Sequence, residues 1–87
     1  MKFWAREFSD NHMLRDMVVD IPGDDTRTHK VFSAIEKVSY EFDLSRPIWL
    51  DANVNDFKRH SKVKFRKDSF IEDIDFDYLE FIVLEED

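Results

Sequence analysis

Apolar and polar residues alternate from the start of the chain. In residues 13–21, Met13, Arg15, Met17, Val19 and Ile21 share one face, and Leu14, Asp16, Val18 and Asp20 share the other. This period of two predicts a strand with one face more apolar than the other. Residues 2–8 predict a partner strand in which Phe3 and Ala5 oppose Trp4 and Phe8, so hydrophobes lie on both faces. Between them, Ser9-Asp10-Asn11-His12 has the residue types and length of a hairpin loop. Pro22-Gly23 closes the pair in the pattern of a type II turn.

The period then lengthens. Val31, Ile35, Val38 and Phe42 recur at spacings of four, three and four, with Phe32 widening the stripe. That is the core-facing side of a helix. Asp24 and Asp25 are expected to cap its start, and Ser45-Arg46-Pro47 to end it, since proline cannot continue a helix. Pro47-Ile48-Trp49-Leu50 reads as an extended apolar segment laid on the core. A shorter helix is expected over residues 53–60, capped by Asp51 or Asn53 and anchored by Val54 and Phe57. Residues 62–67 fit either a short strand or an irregular loop. Ser69 and Glu72 have capping-box spacing, which predicts one helical turn near Phe70-Ile71. The run from Phe76 to Leu84 reads as the last strand, with Leu79, Phe81 and Val83 opposite Phe76, Tyr78, Ile82 and Leu84. The sum is one α+β domain over residues 1–87: a small antiparallel sheet in the order ββα(α)β, packed on one main helix with a second short helix.

Composition narrows the chemistry. The 87 residues include no cysteine, which excludes disulfides, thiolate nucleophiles and cysteine-ligated zinc. A single glycine excludes a glycine-rich phosphate loop, a dinucleotide fingerprint and a nucleophile elbow. His12, His29 and His60 are scattered, with no i, i+4 pair of the kind a helical zinc site uses. His29 with Asp24 or Asp25 has the makings of a base and its orienting acid, although capping accounts for the acids. Asp73, Asp75 and Asp77 imitate the start of a calcium loop. Counting from Asp73, however, Tyr78 stands where the loop needs glycine and Leu84 where it needs glutamate. The triplet is read instead as guarding the last strand against edge pairing. No catalytic residue, metal site or cofactor is expected.

Charge is unevenly spread. The net charge of -7 divides into -4 over residues 1–57, +6 over 58–67 and -9 over 68–87. Lys58, Arg59, Lys62, Lys64, Arg66 and Lys67 make up the basic run, with His60 and Phe65 interleaved. Such a run meets phosphates and bases, or is neutralised by the acidic segment that follows it. Thirteen aromatics are many for a chain of this size. Trp4, Phe8, Trp49, Phe57, Phe65, Phe76, Tyr78 and Phe81 cannot all lie on one face of a small sheet covered by one helix. Either the Trp49 segment and the short helix close the second face, or that face stays open for a partner, with Trp4 and Tyr78 as anchors.

The expected function is therefore a small non-catalytic protein acting through protein–protein contacts, including those of a homodimer. The alternatives are a nucleic-acid accessory protein using the basic run, or an acidic decoy that imitates nucleic acid. A signal peptide is not expected, because Lys2, Arg6 and Glu7 interrupt any apolar run at the start. Nor is a membrane span, since the longest run of strong hydrophobes is Phe81 to Leu84. Asp25-Thr26-Arg27-Thr28-His29-Lys30, Arg46-Pro47-Ile48-Trp49-Leu50-Asp51 and Ile74-Asp75-Phe76-Asp77-Tyr78-Leu79-Glu80 together resemble short acidic uncharacterised proteins of anaerobic Gram-positive bacteria. The likeness runs over most of the chain. It implies a bacterial cytoplasmic setting and carries no activity or site.

Overall fold

A computed structural model describes residues 1–87. The alternating N-terminal segments form strands β1 (Lys2–Ser9) and β2 (His12–Asp20), paired antiparallel. Asp10 and Asn11 connect them at φ 52° and 65°. Both central residues of this tight turn are left-handed, which Asp and Asn tolerate best among non-glycine residues. Between Glu7 and Phe8 the register shifts, so that Glu7 faces Arg15 and Phe8 faces Met13. Leu14 is the extra residue of this bulge, and the strict alternation of 13–21 breaks there.

Helix α1 spans Arg27–Glu41. Its cap is Thr26 rather than Asp24 or Asp25: the Thr26 Oγ1 accepts from the His29 amide at 3.2 Å. The helix ends well before Pro47. Leu44 N donates to Ser39 O and Asp43 N to Tyr40 O, with Asp43 at φ 56°, a left-handed termination that needs no proline. Val31, Ile35, Val38 and Phe42 are buried as the spacing predicts, whereas Phe32 is exposed.

Helix α2 spans Asp51–His60 and starts earlier than expected. Asn53 does act at its start, accepting from the Leu50 amide at 3.0 Å. The same oxygen accepts from Ser69 Oγ at 3.1 Å, and its amide donates to Lys64 O at 3.3 Å. One buried Asn thus ties α2 to the following strand, β3 (Lys62–Phe65), and to a 3₁₀ turn over Lys67–Ser69. That turn lies ahead of the one expected near Phe70-Ile71. Glu72 does not reach back to Ser69; it accepts from the Ser45 amide and hydroxyl.

The last strand, β4 (Tyr78–Glu85), pairs antiparallel with both β1 and β3, giving the order β2-β1-β4-β3. The fold is α+β, with four strands where the expected ββα(α)β order has three. Because β4 is central, Asp73, Asp75 and Asp77 do not guard an edge. Both helices lie on one side of the sheet. Phe3 and Phe81 stack at 5.0 Å between ring centroids, Phe57 of α2 stacks on Phe81 at 6.0 Å, and Trp49 meets Phe65 edge-on at 4.9 Å. The Trp49 segment and α2 therefore cover the same face as α1. No layer of the chain covers the other face.

Candidate functional site

The uncovered face takes the even positions of β1: Lys2, Trp4, Arg6 and Phe8. Register carries each across the sheet. Trp4 lies between Val18 and Ile82, Arg6 between Asp16 and Glu80, and Phe8 between Met13 and Tyr78. On β3 the alternation sends Val63 and Phe65 into the core and leaves Lys62 and Lys64 exposed, opposite Ile82 and Glu80. Period two thus sorts the basic run into a stripe along one edge of the open face.

The side chains of this face hold one another. Arg6 ion-pairs with Glu80, and its guanidinium lies over Trp4 at 4.3 Å and Phe8 at 5.1 Å. Phe8 stacks on Tyr78 at 5.2 Å. Lys64 Nζ and the Arg66 guanidinium approach the Tyr78 ring at 4.8 and 5.3 Å. Trp4 Nε1 donates to Asp16 at 2.7 Å. The rings are half-buried and held by cations and hydrogen bonds, so a binding partner would meet an ordered surface. Val18 (54%) and Met13 (48%) extend it as exposed apolar groups on β2. Other exposed hydrophobes, such as Phe32, Tyr40 and Ile71, lie off this face.

Of the sequence-derived candidates, Trp4, Tyr78, Lys62, Lys64 and Arg66 come together here. Lys67 adjoins them in the 3₁₀ turn, beside Arg66 and Tyr78. Lys58 and Arg59 remain on α2, where Lys58 borders a groove between the helices with Arg27, Phe32 and Trp49. The acidic segment forms no ion pair with the run, although Glu80 lies across from Lys64 and Asp68 and Asp77 line a shallow cavity with Lys64, Arg66 and Lys67. Glu85 pairs with Lys2, Glu86 with Arg27, Glu80 with Arg6, and Asp87 with Lys30 and the Met1 amine. None of the six cations of the run has an acidic group within 4.0 Å. Sequence reasoning missed Arg6, Asp16 and Glu80. Their signal was present in the register: all three fall in one cross-strand row.

The remaining candidates sit elsewhere. His29 Nδ1 and Asp25 Oδ1 are 2.9 Å apart at the surface. The hydrogen bond from His29 first, then that from the Thr26 amide, holds the Asp25 carboxyl below its ordinary range. Both interactions tie the first turn of α1 together. No group of three or more His, Asp or Glu side chains is placed to hold a metal ion. No helix is long and apolar enough to cross a membrane. Comparison with protein families, with curated proteins and with solved structures gives no match.

Proposed function

We propose that the protein acts through protein–protein contacts made by the open face of its sheet. The observation that carries this reading is the cluster of Trp4, Phe8, Tyr78 and Ile82, half-buried on a face that neither helix covers. Aromatic anchors flanked by charged groups are what specific protein interfaces use at their centres and rims. The cysteine-free composition suits a cytoplasmic setting for that work.

The test is photo-crosslinking in native cells, with a photoreactive side chain in place of Trp4 and, as a control, in place of Tyr40 on α1. Protein adducts specific to position 4 are expected. Adducts made equally from both positions, or none from position 4, would overturn the reading.

A second reading has its own observation: Lys62, Lys64 and Arg66 lack acidic partners and border the Tyr78 ring. A single-stranded oligonucleotide would find phosphate contacts and a stacking surface there. It predicts binding that falls steeply with salt and is lost when Lys62, Lys64 and Arg66 become Ala. Against it stand Asp16 and Glu80, in the same sheet row as Lys64 and repelling a polyanion.

A further inference from the structure

The order of charge across the open face identifies the partner more closely. In the central row, reading from β2 to β3, stand Asp16, Arg6, Glu80 and Lys64. Their signs run minus, plus, minus, plus. Reversing the row turns every sign into its opposite. The midpoint falls between β1 and β4, which is also the midpoint of the four-stranded sheet.

From this antisymmetry we infer that the open face binds a second copy of this chain, about a two-fold axis parallel to the strands at the β1–β4 boundary. The inference rests on the reading of this face as a protein-contact surface. Rotation about such an axis preserves the level along the strands, exchanges left and right, and turns one face onto the other. Each β2 then lies over the partner's β3, and each β1 over the partner's β4. In the central row Asp16 meets the partner's Lys64, while the Arg6–Glu80 pair meets its own reversal. In the row above, Trp4 meets the partner's Ile82. In the row below, Phe8 meets the partner's Tyr78.

A two-fold contact requires one self-complementary patch, and this arrangement supplies it in the charges of the central row and in the apolar centres of the flanking rows, with Val18 meeting the aliphatic stem of the partner's Lys62 at the edge. Facing sheets whose mean strand directions stay within about 30° of each other are an ordinary packing, and an axis along the strands keeps the two sheets inside that range. Strands about 4.8 Å apart, three of them eight or nine residues long and β3 only four, give a face of roughly 450 Å² in projection. Side-chain relief enlarges the accessible area. The result lies at the small end of specific interfaces, near or below the usual ~800 Å² per partner. The dimer is accordingly one that dissociates on dilution.

Sedimentation equilibrium over a wide concentration range tests this with Asp16→Lys and Lys64→Asp. Each variant alone places like charges at both symmetric contacts and is expected to weaken dimerisation about tenfold or more. Mixing the two variants restores opposite charges at both contacts, so a heterodimer of wild-type strength is expected. Native mass spectrometry would identify it by mass. The two positions are on opposite edges of the sheet, and thermal unfolding of each variant checks that both fold.

A wild-type chain that stays monomeric at every concentration would overturn the inference, as would variants that dimerise like wild type or a mixture no stronger than its components. If the wild type is monomeric and position 4 still crosslinks to a different protein, the contact reading stands and the second copy does not. Salt-sensitive oligonucleotide binding that strengthens in Asp16→Lys, without dimerisation, would assign the face to nucleic acid and overturn both.

Discussion

Glu7 and Arg15 face one another across β1 and β2 on the helix-covered side of the sheet, and they form an ion pair there. Glu7 is buried, while Arg15 extends outward, donates to the Phe42 carbonyl at 2.8 Å and lies over the Phe42 ring at 4.2 Å. This pair therefore joins the hairpin to the end of α1. Arg15→Ala would leave a buried carboxylate with solvent as its only relief. A loss of about 1–3 kcal/mol is expected in urea unfolding. Glu7→Gln should cost less than Arg15→Ala, because it removes the charge that needs a partner.

The two sheet faces predict different costs for removing an aromatic ring. Phe81 is fully buried and stacked between Phe3 and Phe57. Phe81→Ala should destabilise by about 3–5 kcal/mol, a large share of what a domain of this size has. Tyr78→Ala, three residues earlier in the chain and on the open face, should cost well under half of that. Denaturant midpoints measured under monomeric conditions compare them directly.

Acid sensitivity is expected from two carboxylates. The Lys30 ammonium, first, and the Met1 amine, second, hold the Asp87 carboxyl below its ordinary range; the His29 hydrogen bond does the same for Asp25. Such groups contribute stability fully above the unfolded value of about 4. That contribution is lost as pH falls through the lower folded values. Asp87→Asn should thus be less stable than wild type at pH 7, with the difference closing below about pH 4. Thermal unfolding across that window checks both the sign and the range.

Ser61 closes α2 at φ 55°, in the left-handed region. Serine has no side-chain advantage there, and glycine is the residue helices most often use at this point. Ser61→Gly should stabilise by about 0.5–1 kcal/mol, since its backbone bonds, including Val83 N to Ser61 O at 2.9 Å, remain. A lower melting temperature for the variant would contradict this account of the turn.

Strand and helix identities were legible because their periods are clean. β1, β2, β4 and the buried stripe of α1 follow the spacing of Phe3, Ala5, Val19, Leu79, Phe81, Val31, Ile35 and Val38. Boundaries were less legible, for a physical reason. Asp10, Asn11, Asp43 and Ser61 occupy left-handed positions that glycine usually marks. With one glycine in the chain, the stop after Phe42 carries no sign, and Pro47 is the first residue that marks an end. Glu7 was invisible as a core residue until its register with Arg15 was known. The same holds for the open face. The rings of Trp4, Phe8 and Tyr78 belong to segments far apart in sequence, and only the pairing of β4 with β1 brings them together.

That pairing also fixes when the protein can acquire its shape. Arg6 and Glu80 are separated by 74 residues, and β4 supplies the middle of the sheet rather than its margin. A nascent chain can form the β1–β2 hairpin and both helices early. β1 and β3, however, have no strand between them until β4 has been synthesised. Loop closure over most of the chain must then precede the central contacts. During that interval the hairpin exposes Phe3 and Trp4 on opposite sides of an open edge. The intermediate with most to lose from crowding is therefore the chain just before its last strand docks.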